Sequence, residues 1–186
     1  MKVSLPITNE VKKDLKAGDY IYLTGTMYTA RDAAHKRLIE LILNNEKLPL
    51  DLNNVCIYYT GPTPKVNGRI GSIGPTTAYR MDGFMKHLKM INCTIGKGPR
   101  SEEIIDLAKN NQILYLMAIG GIGAKLSLCV KSMDVIAFED LGAEAIFKLE
   151  VVDFPVIVAY DIYGNSVFKW GLNERRSFKN PWKWKD

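Results

Sequence analysis

One stretch limits what this chain can fold into: residues 61–82, which read GPTPKVNGRIGSIGPTTAYRMD. Four glycines and three prolines fall within residues 61–75. This density excludes a regular helix or strand and predicts a loop of fixed shape. An apolar run with helical spacing begins where the loop ends, at Met81, Phe84, Met85 and Leu88. The loop therefore leads into a helix that we expect to extend to about Met90.

Two threonines and an arginine stand at the predicted start of this helix. The hydroxyls of Thr76 and Thr77 can accept a hydrogen bond from a free backbone N–H there. Arg80 follows Thr76 by four residues, so both lie on one helix face. A cation in a first turn opposes the helix dipole at a cost of about 0.3–1 kcal/mol. Two interpretations stay open: a carboxylate or phosphate site that includes Arg80, or a surface arginine whose head reaches solvent.

The bulk composition is that of a soluble globular protein, with 47% hydrophobic and 24% charged residues. The length of 186 residues fits one domain, 1–186, in which residues 171–186 form a basic, aromatic C-terminal tail. Neither a long apolar run nor a signal-peptide core is present, so a cytoplasmic location is expected. The net charge of +5 suits an acidic ligand, an acidic partner or nucleic acid, and does not choose between them.

The three cysteines, Cys56, Cys93 and Cys129, are widely spaced. No Cys-x-x-Cys pair occurs, so the spacings of zinc ribbons and of cluster-binding loops are absent. We expect buried thiols in a reducing compartment and no metal site built by this chain.

Strand and helix signals alternate along most of the chain. Strands are predicted at 20–26, 55–60, 113–119 and 135–140. A capping box at Thr29-Ala-Arg-Asp32 predicts a helix that runs to Asn44 or Asn45. The end of the chain changes character, with strands at 155–161 and 166–170 joined as a hairpin around Gly164-Asn165. This order predicts an α/β domain with a mixed sheet and crossover helices.

Cationic side chains follow the predicted strands. In open α/β sheets, ligands bind beyond the carboxyl ends of the strands. Arg31, Arg80 and Lys97, together with Thr76, all come after a predicted strand, and three cations at one edge would clamp a small dianion. Lys97 lies in a Gly-Lys-Gly turn, a weak signal without Walker A spacing. His35 shares a helix face with Arg31, and we expect it at the helix surface or half buried.

Several of these motifs occur together in the order typical of a known family. The sequence resembles the β subunit of the iron–sulfur class I fumarate hydratase and L(+)-tartrate dehydratase family over about residues 3–170. The motifs that carry the resemblance are Thr24-Gly-Thr, Thr29-Ala-Arg-Asp-Ala-Ala-His35, Gly61-Pro-Thr-Pro, Gly74-Pro-Thr-Thr-Ala-Tyr-Arg-Met-Asp82, Gly96-Lys-Gly98 and Gly120-Gly121.

The resemblance implies a fold, a cofactor and a partner. The fold would be a swivelling β/β/α domain. A cluster-binding α subunit would hold a [4Fe-4S] cluster on three cysteines, and its iron would act as a Lewis acid on the leaving hydroxyl. The cysteines of this chain would not be ligands. An α2β2 or similar heteromer is expected, with self-association of β.

The resemblance also implies roles for individual residues. Thr76 would transfer a proton at C3 of the substrate, or would donate a hydrogen bond to it. A threonine hydroxyl acts as a base only where its proton has an acceptor and its anion is stabilised. The carboxylates of malate or fumarate would be bound by Arg31, Arg80 and Lys97, with Asp32, His35 and Asp82 as supporting residues by motif position.

Three functions are weighed against one another. The leading one is reversible hydration of fumarate to malate. Tartrate or another C4/C5 dicarboxylate is the close alternative substrate, because a binding site discriminates only weakly between substrates that differ by one hydroxyl or methyl group. A non-catalytic dicarboxylate-binding module is the alternative of another class. Nucleic-acid binding through the tail, which carries Trp182 and Trp184, is a third. Because no second basic stripe occurs, we expect that the tail docks on its own domain or on a partner and that the protein binds neither nucleic acid nor a membrane.

Overall fold

The structure is a computed structural model that describes residues 1–65 and 67–169. The strands are β1 (Lys2–Ser4), β2 (Tyr20–Thr29), β3 (Cys56–Tyr58), β4 (Cys93–Gly96), β5 (Leu114–Met117), β6 (Val130–Ala137) and β7 (Ile146–Tyr160). The α-helices are α1 (Asn9–Asp14), α2 (Asp32–Leu43), α3 (Asp82–Met85), α4 (Glu102–Asn110) and α5 (Gly123–Ser127). Two 3₁₀ segments cover Ala78–Met81 and Glu139–Glu144.

The seven strands form one mixed sheet, as the alternation of strand and helix signals predicts. Strands β1 to β5 pair in parallel, in the order β1-β2-β3-β4-β5. The long strand β7 runs antiparallel to β2, β5 and β6. Because β7 pairs with both β2 and β5, the strands β2-β3-β4-β5-β7 close into a ring.

The ring separates two hydrophobic clusters. Side chains alternate across a strand, so neighbouring residues face opposite sides. On β3, Cys56 and Tyr58 belong to the inner cluster. Ile57 and the following Tyr59 belong to the outer cluster, which packs against α2, α3 and α4. Burial on both faces explains why the predicted strands read as continuous apolar runs rather than as alternating ones.

The predicted end of the helix after Thr29, at Asn44 or Asn45, is confirmed, and the start of α1 follows a similar local signal. Thr8 is the N-cap of α1, and its hydroxyl accepts a hydrogen bond from the backbone N–H of Val11 at 3.4 Å. Helix α2 ends at Leu43 with Asn44 as its C-cap. Local capping signals therefore fix these two boundaries without help from the rest of the fold.

The prediction of a capping box at Thr29 is wrong. The hydroxyl of Thr29 donates to Ala145 O at 3.3 Å and accepts from Phe147 N at 3.0 Å. Strand β2 continues to Thr29, and Arg31 takes the N-cap position of α2 without a side-chain cap. A distant strand thus competes successfully for the hydroxyl that the local pattern assigned to the helix.

The prediction of a C-terminal hairpin is also wrong. A single strand, β7, covers residues from Ile146 to Tyr160, and only an isolated bridge joins Tyr160 to Ser166. Asp161 explains the misleading turn signal, because its carboxylate accepts from the backbone N–H of Tyr163 at 2.9 Å and of Asn165 at 3.0 Å. This Asx turn leads into a short helical turn at residues 167–169. The predicted tail, 171–186, lies outside the described residues.

Among the described residues, no helix is both long and apolar enough to cross a membrane.

Candidate active site

The carboxyl ends of the parallel strands share one rim of the ring. Arg31 lies just after β2, Gly61 after β3, Lys97 after β4 and Gly120 after β5. Because β2 to β5 are neighbours in this order, the segments that follow them are neighbours as well. The fold therefore places the cations that follow β2 and β4 on the same rim.

The central loop is fastened to this rim. Thr63 N donates to Ser72 O at 2.9 Å, and the Thr63 hydroxyl accepts from Ser72 N at 2.7 Å. The hydroxyl of Thr60 donates to Gly74 O at 2.7 Å, and that of Tyr58 donates to the carbonyl of Ile73. The loop thus has the fixed shape that its glycines and prolines predict.

Thr76 is held by backbone hydrogen bonds between the ends of β3 and β4. Its N–H donates to Tyr59 O at 2.6 Å, and its carbonyl accepts from Lys97 N at 3.0 Å. Ala78 N then donates to Lys97 O at 2.9 Å. Gly96 permits this approach, because a Cβ there would lie 3.0 Å from the Ala78 Cβ and 3.3 Å from Thr76 O. Within residues 1–65 and 67–169, the hydroxyl of Thr76 has no hydrogen-bond partner.

The helix predicted after the loop is much shorter than expected. A 3₁₀ turn at Ala78–Met81 is followed by the four-residue helix α3, and the hydroxyl of Thr77 caps neither. A long-helix dipole is therefore absent at Thr76, and charge stabilisation there has to come from side chains. The apolar face is as predicted: Met81, Met85 and Leu88 are buried in the outer cluster.

Arg80 forms a bidentate ion pair with Asp32. Its Nε and Nη2 atoms donate to Oδ1 at 3.2 Å and to Oδ2 at 2.7 Å. The Arg80 side chain is 51% exposed, so part of its guanidinium faces solvent. Asp32 is the residue after Arg31, and the pair therefore brings both predicted substrate-binding arginines to one side of the molecule.

Arg31 is more enclosed than Arg80. Its Nη2 lies 3.5 Å from Glu144 Oε1, and its side chain is 26% exposed. The Nε atom is buried and has no partner within the described residues. The guanidinium also lies against Gly61, where a Cβ would come within 2.7 Å of Nη1. Gly61, first noted as a loop former, is needed here for the close approach of Arg31.

Lys97, like Arg80, is exposed. In the part of the chain that the structure describes, its ammonium has no ion-pair partner. Gly120 lies beside its stem, because a Cβ at Gly120 would be 3.7 Å from Lys97 Cδ. The glycine pair at 120–121 therefore leaves room around the lysine.

His35 is fully buried, and the expectation of a surface or half-buried histidine is wrong. Its ring lies between Tyr59 and Phe84. Nδ1 is 2.8 Å from Arg31 O, so this nitrogen carries the proton, and Nε2 is buried without a partner. Burial lowers the pKa of His35 to about 4. His35 thus supports the backbone of Arg31 as a neutral imidazole.

Asp82, the last residue of the Arg-Met-Asp motif, faces the protein interior and pairs with Arg100. Arg100 is not identified from the sequence. The Asp82 Oδ1 accepts from Arg100 Nε at 2.5 Å, and its Oδ2 accepts from Ser101 N at 2.7 Å. Arg100 is buried, donates to Tyr59 OH and stacks on Tyr115. The pair ties the 3₁₀ turn that carries Arg80 to the segment that follows Lys97. No local sequence signal marks Arg100, since burial of an arginine depends on partners distant in the chain.

The cysteines lie away from the rim. Cys56 and Cys93 are register partners on β3 and β4, and both are buried in the inner cluster. Burial raises the pKa of the Cys56 thiol, which disfavours the thiolate that a metal needs. In the described ranges, no three His, Cys, Asp or Glu side chains converge as a metal site. The residues at the rim therefore do not fit an iron–sulfur cluster.

A large cavity of about 620 Å³ adjoins the rim on the side of Gly61. It is lined by residues of the central loop, of β6 and of the segment before β7, among them Pro62, Lys65, Met133, Glu139 and Ala143. Thr76, Arg80 and Lys97 do not line this cavity.

Comparison with known proteins identifies the family. The family model described as Fumarase C-terminus matches residues 1–171. This chain belongs to the Fumarase C-terminus family. The resemblance found in the sequence motifs is thereby confirmed.

Relatives in the Fumarase C-terminus family differ in how much of their length the chain covers. A provisionally named L(+)-tartrate dehydratase subunit beta of Methanocaldococcus jannaschii is 44% identical over 173 residues, 88% of each chain. Fumarate hydratase 2 of Leishmania major is 37% identical over 87% of this chain and 32% of its own length. The aerobic class I fumarate hydratase of Escherichia coli K12 is 40% identical over 79% of this chain and 28% of its own. The chain thus spans a third or less of these two fumarate hydratases.

The Asp82–Arg100 pair predicts a large stability effect in this Fumarase C-terminus chain. Asp82→Ala leaves a buried guanidinium without its counter-ion, which costs about 3–5 kcal/mol of unfolding free energy. Urea unfolding of the purified chain measures the loss. As a control, Lys2→Ala removes an exposed pair with Asp153 and stays within about 1 kcal/mol of wild type. Equal losses in the two variants would contradict the assignment of Asp82–Arg100 as a supporting buried pair.

The burial of His35 predicts that the free energy of unfolding depends on pH. The folded protein keeps His35 neutral down to about pH 4, whereas the unfolded chain protonates it near 6.5. Between these values the unfolded state binds more protons, so stability falls as the pH falls from 6.5 through 4, by about 3 kcal/mol in total. His35→Gln removes this contribution. Urea unfolding at several pH values should show a shallower acid loss in the variant, and parallel curves would refute the prediction.

Proposed function

We propose that this chain is the β subunit of a [4Fe-4S]-dependent hydro-lyase that reversibly hydrates fumarate to malate. It would supply the dicarboxylate clamp and a proton-transfer threonine. The observation that carries the proposal is the convergence of Arg31, Arg80, Lys97 and Thr76 at one rim of the strand ring. Family membership supports a hydro-lyase, because the named relatives are dehydratase and hydratase proteins.

The clamp would act on charge. Removing a proton beside a carboxylate builds a second negative charge on that group, and fixed cations at this end stabilise it. Arg80 has a planar fork that is only partly engaged by Asp32, and Lys97 offers an exposed ammonium. These two side chains leave donors available to a substrate carboxylate without first breaking a buried contact.

Thr76 is proposed as the proton-transfer residue. Its backbone is fixed on both sides by β3 and β4, while its hydroxyl has no partner within the described residues. Arg80 and Lys97, which follow it in the turn and in the adjacent strand, would stabilise an alkoxide in place of the missing helix dipole. If Thr76 is instead a hydrogen-bond donor, the same geometry directs its hydroxyl to the substrate.

The cluster is assigned to a partner. Cys56 and Cys93 are buried in the inner cluster and Cys129 packs half-buried against it, so we propose that a cluster-binding α subunit holds the [4Fe-4S] group and covers the rim. The domain would be of the swivelling β/β/α type, in a cytoplasmic α2β2 or similar heteromer. This chain's part in the reaction is then to bind the dicarboxylate and to move a proton.

Tartrate is the second candidate substrate. The M. jannaschii relative, of which the chain covers 88%, is named for L(+)-tartrate dehydratase. Tartrate differs from malate by one hydroxyl, and the groups of the clamp recognise the carboxylates that both share. The site residues described here therefore suit either substrate.

Reconstitution tests the function. The purified chain should be inactive alone, and an anaerobic mixture with a cluster-loaded α subunit should turn over one of fumarate, malate or tartrate. Initial rates with each dicarboxylate would rank the substrates. Activity of this chain without iron or a partner would overturn the subunit assignment. Dicarboxylate binding with no turnover in the complete assembly would favour the non-catalytic module.

Arg80→Lys tests the clamp. The substitution keeps the charge but removes the planar fork, so kcat/KM of the reconstituted enzyme should fall by about tenfold or more. Arg37→Lys is the matched control, because Arg37 forms a similar bidentate pair with Asp140 away from the rim, at 2.7 and 2.8 Å. Its kinetics should equal those of wild type. Unchanged kinetics in Arg80→Lys would reject the clamp role.

A further inference from the structure

Glu144, the last residue of the second 3₁₀ segment, contacts two parts of the α2 start. Its Oε2 accepts from the backbone N–H of Ala33 at 2.9 Å, and its Oε1 lies 3.5 Å from Arg31 Nη2. Arg31 occupies the N-cap position and has no oxygen with which to cap the helix. A carboxylate from 111 residues further along the chain therefore supplies the missing cap.

We propose that Glu144 is a positioning residue that sets the Arg31 guanidinium for a substrate carboxylate. The inference rests on the proposed function, since it gives Arg31 its role. It assigns to Glu144 the task of fixing both the backbone and the head group of this arginine. None of the sequence motifs described above includes Glu144.

The backbone that carries Glu144 is itself anchored to the strand that precedes Arg31. The Thr29 hydroxyl, fully buried, bonds the carbonyl of Ala145 and the N–H of Phe147. The segments 29–33 and 144–147 are thus joined by the hydroxyl of Thr29 and the carboxylate of Glu144. A carboxylate placed by such a junction loses little further conformational freedom when it orients a neighbour.

The opposite side of the Arg31 guanidinium is also fixed. A Cβ at Gly61 would come within 2.7 Å of Nη1 and within 2.9 Å of Ala143 O. The head group therefore lies between the Gly61 backbone and the Glu144 carboxylate, and its Nε is buried. Glu144 is 3.5 Å away, longer than the 2.7–2.9 Å of a strong charged hydrogen bond. It orients Arg31 without taking up the donors that a ligand would use.

The substitution Glu144→Gln keeps the contact with the Ala33 N–H and removes the contact with Arg31. Glutamine keeps one oxygen for Ala33 N–H but places an NH₂ group, which cannot accept, where Oε1 faces Arg31. In the reconstituted enzyme, KM for the dicarboxylate should rise about tenfold, with kcat within about threefold of wild type. A purely structural cap would not produce this split. An unchanged or lower KM, as expected if Glu144 only repels the substrate, would overturn the proposal.

A double-mutant cycle shows whether Glu144 acts through Arg31. In the background of Arg31→Met, adding Glu144→Gln should raise KM no further, because the group that it positions is gone. Additive effects would contradict a positioning role. Asp140→Asn is the matched control: it breaks a pair between the same 3₁₀ segment and α2, with Arg37, and should leave KM unchanged.

An NMR readout separates this inference from the proposed function. The buried Nε–H of Arg31 should give an observable signal in the ¹⁵N-labelled full chain. Glu144→Gln should shift it and speed its exchange with solvent, whereas Asp140→Asn should not. An unmoved signal would overturn the positioning role even in an active enzyme. If the wild-type assembly turns over no dicarboxylate, the proposed function fails, and the signal still decides whether Glu144 sets Arg31.

Discussion

The rim depends on one short length of backbone, Thr76–Ala78, placed between the ends of β3 and β4. Its hydrogen bonds to Tyr59 and Lys97 extend the sheet beyond both strands. They fix the Cα of Thr76 relative to Lys97, and the 3₁₀ turn that follows carries Arg80 to Asp32. The backbones of Thr76 and Lys97 thus acquire a defined relation through main-chain bonds, which do not vary with side-chain rotamers. Gly96 makes this possible, since a side chain there would meet Ala78.

The sequence predicts the sheet and the rim because both follow from local signals. Apolar runs bounded by turns mark buried strands, and the residues after them fall at the carboxyl edge by topology alone. What it does not predict is decided by distant partners. Thr29 is taken by β7 rather than by α2, and Asp161 closes a turn that resembled a hairpin. In both cases a short-range pattern was correct about the residue type and wrong about which backbone group it binds.

The burial of two polar side chains of the motifs, Asp82 and His35, also depends on packing. Asp82 belongs to a motif whose Thr and Arg lie at the rim, yet its carboxylate faces inward to Arg100. His35 follows Arg31 by one helical turn, yet it is enclosed by Tyr59 and Phe84. A linear pattern shows that these residues belong to the motif. Only the packing of α2 and α3 on the outer cluster shows that both side chains are buried.

Each arginine at the rim is paired with a carboxylate of its own chain, and the two pairs differ in a way that suits different tasks. Arg80–Asp32 is bidentate but half exposed, so solvent screens it and a dianion can compete for its outer edge. Arg31–Glu144 is looser but enclosed by Gly61 and by a buried hydroxyl junction, so its geometry is set even where its attraction is modest. If the rim binds a doubly negative acid, as proposed, its cations cannot be free to turn outward. Nor can it neutralise them with short, buried pairs. Holding one arginine by an exposed fork and the other by a longer, enclosed contact satisfies both requirements.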